Sequence, residues 1–188
     1  FSDDIRDGIK GSVFRHEENG FASGRPGMEE SIKFGIVASV KHPQVDYSKV
    51  NYSKAPYANE PSNTITYAEC HDNHVLWDKL AISAKDATEA ERKEMHKLAL
   101  SIVLTSQGIS FLHAGTEFLR SKKGHENSYN AGDSINAIDW SLKTKNKDVF
   151  DYVRALIKMR KEHPAFRMKT AKDVASNIHF LSDTNGII

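Results

Sequence analysis

Thr64 to Leu80 reads TITYAECHDNHVLWDKL, and the fold turns on how this stretch is read. Thr64, Ile65, Thr66 and Tyr67 are β-branched or aromatic, and Pro61, Ser62 and Asn63 punctuate the approach, so a strand is predicted over 64–70. It runs straight into His71-Asp72-Asn73. In parallel α/β architectures the residues that do chemistry gather where buried strands end, and this polar triplet fits that pattern. A plainer reading also fits: Asp72 or Asn73 caps the following helix and His71 is a solvated side chain.

Outward from this stretch the chain alternates. Ile109–Ala114 (ISFLHA) is a second short apolar run, as expected for a parallel strand covered on both faces. Thr88-Glu89-Ala90-Glu91 between the two runs is a capping box that opens a helix to about Ser106, with Met95, Leu98, Ala99, Ile102 and Val103 as its core stripe. Upstream, Ile5 and Ile9 mark a short helical turn, residues 15–27 a glycine-rich loop, and Met28, Ile32, Ile36 and Val40 one face of a helix over 27–40. Lys41 to Asn63 carries Pro43, Pro56 and Pro61 and reads as a long irregular connection. Downstream, Asp148 is the predicted cap of a helix to about Glu162, with Phe150, Val153, Leu156 and Ile157 inward and Lys158, Arg160, Lys161 and His163 at its dipole-favoured end before Pro164. Ser176–Ser182 reads as a strand of a new unit, followed by a turn at Asp183-Thr184-Asn185-Gly186. Helix, strand, helix, strand, helix, then β is the order of parallel βα units.

Composition limits the partners. With 26 Lys and Arg against 25 Asp and Glu and no block of like charge, neither nucleic acid nor a membrane surface is a favoured partner. No apolar run approaches the roughly 20 residues of a membrane span. The single Cys70 rules out an internal disulfide, which suits a cytosolic and a disulfide-free secreted protein alike. No signal peptide is visible, but the chain opens at Phe1 without Met and stops as a strand is beginning, so both ends are expected to be cut and localisation stays open.

His71-Asp72-Asn73 followed by Leu76-Trp77-Asp78 resembles the fourth signature region of the α-amylase superfamily, and within it the pullulanase-type α-1,6 debranching enzymes. Further stretches agree: Phe111–Arg120 (FLHAGTEFLR), Asn127-Ser128-Tyr129 with Gly132-Asp133, Asn136 and Asp139-Trp140, His163–Arg167, and Arg6-Asp7 near the start. The resemblance implies a fold: the C-terminal portion of a (β/α)8 TIM barrel over 1–168, from the exit of strand six to helix eight, then the start of an all-β sandwich domain over 169–188.

It also implies a chemistry. Retaining glycosidases use a carboxylate nucleophile and a carboxylic acid, and gain further from sugar-hydroxyl contacts that tighten at the oxocarbenium-like transition state. By resemblance Asp72 is the third carboxylate that grips those hydroxyls and His71 is its partner. Asn73, Trp77, Asn127, Tyr129 and Asp133 are expected sugar contacts, while Arg6 is expected to brace its loop by an ion pair and Asp139 and Trp140 to scaffold theirs. The nucleophile and acid motifs have no counterpart in these 188 residues, and Glu69 and Glu117 are read as structural carboxylates. The expected partner is an α-glucan. No cofactor or metal ligand is expected in the chain, although a structural calcium is compatible with the whole enzyme.

Two rivals stay open. A metal-dependent hydrolase would use His71, Asp72 and His74, with His113 as a further ligand. A non-catalytic carbohydrate-binding or assembly domain would use the 127–133 loop alone. Two strands cannot close a barrel, so the isolated chain is expected either to self-associate or to pack differently, and a clean monomer by sizing with little exposed apolar surface would tell against both.

Overall fold

The computed structural model describes residues 1–181 and 186–188. Its elements in order are α1 (Asp3–Lys10), α2 (Glu29–Ile36), β1 (Ile65–Thr66), α3 (Leu76–Ser83), α4 (Glu89–Thr105), β2 (Ile109–Ser110), α5 (Asp133–Asn136), α6 (Ser141–Lys145), α7 (Lys147–Glu162) and α8 (Ala171–Asn177). The chain is therefore mostly helical around a two-stranded sheet. Among the described residues no helix is long and apolar enough to cross a membrane.

The parallel pairing inferred from sequence is present: β1 and β2 align Ile65 with Ile109 and Thr66 with Ser110. Both strands are shorter than expected. The ladder's last rung is Phe111 N–H donating to Thr66 O at 2.9 Å, and the backbone of 67–70 and 112–114 runs on outside it. On the other edge of β1, Ser2 N–H donates to Ile65 O at 3.0 Å, so the chain's first residues lie alongside this strand.

Helices form where the periodicity put them, with shifted ends. α4 starts at the predicted box, Thr88 Oγ1 accepting from Glu91 N–H and Glu91 from Thr88 N–H at 2.7 Å. Its stripe is narrower than expected, because Leu98 is 41% exposed while Ala99, Ile102 and Val103 are buried. α2 stops at Ile36, short of Val40, because Ala38 and Ser39 adopt positive φ (55° and 59°), which a helix does not accommodate. α7 is capped at Asn146 and not at Asp148; Asn146 is buried with its amide on Phe118 O, and Asp148 lies in the first turn facing Lys97 at 3.4 Å.

Arg160, expected to serve the C-terminal dipole of its own helix, reaches across to another. Its guanidinium donates to Leu104 O, Ser106 O, Phe166 O and Gly108 O at 2.6–3.0 Å. One planar fork thus satisfies carbonyls that the end of α4 leaves unpaired and fixes the approach to β2.

The main core joins Ile5 and Ile9 of α1, Ile32 of α2, Leu76 and Leu80 of α3, Leu100 and Val103 of α4 and Val149 and Val153 of α7. A second cluster gathers Phe34, Val37, Val40, Val45 and Val50 with Val174, and Ile178 and Phe180 pack on it. Here the predicted 176–182 strand is corrected. Ser176 and Asn177 end α8, and the remainder up to Leu181 forms no ladder. The cause is local: the Gln44 side chain takes both the N–H (3.0 Å) and the C=O (2.9 Å) of Phe180, the groups a neighbouring strand would use. Ser182 and the turn predicted over 183–185 lie outside the described residues.

His96 gives this core a pH dependence. It is fully buried, with Nε2 donating to Thr116 O at 2.8 Å, and burial pushes its pKa down to about 4 from 6.5. Between these values the unfolded chain binds a proton that the fold excludes, so stability is intact above pH 6.5 and falls as pH drops towards 4. At about 1.4 kcal/mol per unit, the loss totals about 3 kcal/mol. Melting temperature against pH should therefore slope less steeply in His96→Gln over this window; an unaltered slope would refute the assignment.

Candidate functional site

The His71-Asp72-Asn73 segment is a solvent-facing loop on a buried foundation. The side chains of His71 and Asp72 are 79% and 67% exposed, with Nε2 and Oδ1 3.6 Å apart. Asn73 sits at φ 62°, in the left-handed region that Asn tolerates better than most residues, and this turns the chain into α3. Neither Asp72 nor Asn73 caps α3. Its N-cap is Val75, and the first free N–H, that of Leu76, donates to the Glu69 carboxylate. Among the described residues the Asp72 carboxylate has His71 as its one ion-pair partner. The plain capping reading of this aspartate therefore falls away, and its oxygens face solvent.

Three buried charged groups hold the loop from beneath. Glu69 is almost fully buried, and desolvation raises its pKa although Thr116, Lys10 and Leu76 N–H oppose the shift. An extended strand would have put Glu69 and His71 on one face; the bend after Tyr67 instead sends Glu69 inward and His71 outward. Lys10, also buried, donates to His74 O at 3.2 Å and is pushed down to about 8 by that burial. Lys122 donates to His71 O at 3.0 Å. The loop's backbone is thus tied at His71, His74 and Leu76 while the side chains of His71 and Asp72 face solvent.

Asp78 sets the next segment. Its carboxylate accepts from Ser121 Oγ (2.6 Å), Lys122 N–H (2.8 Å) and Gly124 N–H (3.0 Å), fastening residues 121–124 to α3. Further on, Asn136 and Ser128 bond each other twice, through Asn136 Nδ2 to Ser128 O (2.6 Å) and Ser128 Oγ to Asn136 Oδ1 (2.8 Å). This brace leaves Tyr129 81% exposed and Asn127 and Asp133 exposed on either side. Asp139 accepts from Ser141 N–H and Oγ, a turn scaffold of the expected kind.

A cleft of about 670 Å³ brings these parts together, with Asp72, Asn73 and Asn127 in its lining beside Arg6, Phe14 and His16. Arg6 is held by Asp7 (2.6 Å), Asp3 (2.8 Å) and the Tyr67 hydroxyl (2.9 Å), the brace expected of it. His71, Tyr129 and Asp133 stand outside this lining, and so does Trp77. Trp77 instead turns to α4, with the Arg92 guanidinium 5.5 Å over its ring and His96 edge-on at 6.1 Å. A hollow of about 690 Å³ between β2 and α7 holds none of the sugar-contact residues expected from sequence.

The ligand set of a metal hydrolase does not assemble as expected. His74 groups with His16 and Glu126, while His71 and Asp72 group with Cys70. His113 joins neither group among the described residues; it lies beside Arg120, and burial pushes it down to about 4. His16 and Glu126 escaped sequence reasoning because no local motif marks them and each comes from a different loop. The arrangement as a whole, an exposed carboxylate and imidazole with two amides nearby on a rigid base, is suited to grasping vicinal hydroxyl groups.

No protein-family model matches the chain. It is 37% identical over 182 residues to a pullulanase of Bacillus subtilis, covering 97% of this chain and 24% of that protein. It is 30% identical over 115 residues to an isoamylase of a Flavobacterium. Among solved structures, a pullulanase from Paenibacillus barengoltzii, in complex with maltohexaose and α-cyclodextrin, superposes with a TM-score of 0.90 at 42% identity, covering 99% of this chain and 28% of that one. One from Bacillus acidopullulyticus gives 0.88 at 44%, covering 99% and 21%. The chain thus spans about a quarter of the length of the relatives it matches.

Proposed function

We propose, for a chain that belongs by homology over nearly its whole length to the pullulanase-type debranching enzymes, that it forms part of a retaining glycoside hydrolase acting on α-1,6 links of pullulan, starch or glycogen-type α-glucans. Its share of the work is to hold the sugar. Asp72 grips two hydroxyls of the ring at the scissile bond, His71 assists, and Asn73 and Asn127 contact hydroxyls from the same cleft. The observation that carries this reading is that Asp72, Asn73 and Asn127, from segments more than fifty residues apart, line one cavity. Tyr129 and Asp133 contribute from the rim. Trp77 supports the loop from the α4 side.

We infer further that β1 and β2 are adjacent staves of a (β/α)8 barrel, with Ser2 lying where the preceding stave would run. Residues 1–168 belong to that barrel, and 169–188 open a C-terminal β domain whose first element is helical. Nucleophile and acid belong to other staves. Full-length protein is therefore expected to release reducing ends from pullulan, and the 188-residue chain alone to release none. Robust turnover by the isolated chain would put the missing pair within it and overturn this division of labour.

A further inference from the structure

His16, His74 and Glu126 come from three separate loops, and each offers a donor atom within 4.8 Å of the other two. His16 Nε2 lies 2.6 Å from Glu126 Oε2, and the two imidazoles meet edge to face with centroids 4.7 Å apart. We propose that these three side chains form a binding site for a divalent transition metal, Zn²⁺ above all, at the rim of the Asp72 cleft.

The donor set decides the metal class. Two imidazoles and a carboxylate match three-ligand zinc sites that keep a fourth position for water, whereas Ca²⁺ seeks six or more oxygen donors. The outer shell is already built. His74 is buried, and one of its ring nitrogens, Nε2, bonds the Gly124 carbonyl at 3.1 Å, which orients the ring and leaves the other nitrogen as donor. The backbone that carries His16 is pinned by Lys79, whose Nζ donates to Ser12 O (3.1 Å), Arg15 O (3.0 Å) and His16 O (2.6 Å). Gly124, two residues before Glu126, is tied to Asp78 at 3.0 Å. The side chains of His16 and Glu126 are 39% and 49% exposed, so an ion can reach the site. With zinc–nitrogen bonds of about 2.1 Å, tetrahedral donors stand about 3.4 Å apart. Reaching that spacing from the present one, with His16 and Glu126 parting from 2.6 Å and no donor pair more than 4.8 Å apart, is within reach of rotamer adjustment in the two exposed side chains. A bound ion would staple the 11–20, 71–75 and 121–127 segments together beside Asp72.

The second group of potential ligands, Cys70, His71 and Asp72, supplies the control. Full-length protein stripped with a chelator and titrated with zinc chloride should retain one equivalent per chain, by elemental analysis after dialysis, and its melting temperature should rise with zinc and not with calcium. His16→Gln and Glu126→Gln, both at accessible positions where folding is not at stake, should each weaken zinc binding by at least about tenfold. Cys70→Ser should leave it unchanged. Equal zinc affinity in wild type, His16→Gln and Glu126→Gln, or loss of binding in Cys70→Ser alone, would overturn the proposal. So would the absence of retained zinc in the wild-type protein. None of these readings depends on glucan hydrolysis, so this site and the glucan-holding role of Asp72 stand or fall separately.

Discussion

Asp72→Ala in the full-length enzyme should lower kcat/KM on pullulan by about a thousandfold or more, with most of the loss in kcat. The reason lies in when its contacts matter. A carboxylate that grips two sugar hydroxyls gains most as positive charge builds on the ring, so truncation removes transition-state binding more than ground-state binding. The fold should survive the change, because the carboxylate is 67% exposed, has His71 as its one ion-pair partner among the described residues, and does not cap α3. Asp72→Asn separates the effects: the amide retains hydrogen bonding but loses the charge, and should recover only part of the rate. If Asp72→Ala raised KM alone and left kcat near that of the parent, the residue would be a ground-state sugar contact, and the chain would be better read as a carbohydrate-binding module.

Glu69→Ala is expected to have the largest effect on stability. The change leaves Leu76 N–H at the start of α3 without its acceptor and removes the strongest favourable charge acting on the buried Lys10 ammonium. Leaving a buried donor without its acceptor costs about 1–3 kcal/mol, and more where the lost acceptor is charged. In the full-length protein this should read out by calorimetry as a fall in melting temperature of several degrees. Glu69→Gln should lose less, because its side-chain oxygen still accepts from Leu76. Equal losses for the two variants would mean that the carboxylate's charge, and not the hydrogen bond to Leu76, carries the effect, and near-neutral Glu69→Ala would refute its place as the foundation of the loop. Activity should fall along with stability, as the Asp72 loop rests on this group.

The two expectations differ in how they could be found. Asp72 is legible in the sequence: a β-branched run ends abruptly in three polar residues, and the motif around them is short and contiguous. The helices were legible for a similar reason. Apolar residues at helical spacing, and the Thr88–Glu91 box, act within one or two turns of backbone, so nearby residues suffice to specify them. The parallel order of two strands joined by helices followed from that alternation.

What was not legible depends on residues far apart in the chain. Leu98 fits its stripe yet faces solvent, and Arg160 leaves its own helix end for the carbonyls of another. Ile178 and Phe180 alternate as in a strand, but Gln44 occupies the backbone groups a ladder needs. Trp77 belongs to the signature motif yet packs on Arg92 and His96, while His16 and Glu126 belong to no motif and meet at 2.6 Å beside the cleft. The sequence by itself determined the main helical segments, the Thr88–Glu91 box and the parallel order of the two strands, because these rest on short-range hydrogen bonding and periodic burial. Only the tertiary structure decided which loops share the cleft and which buried charges hold them, because charge compensation and desolvation depend on neighbours that folding brings together across the whole chain.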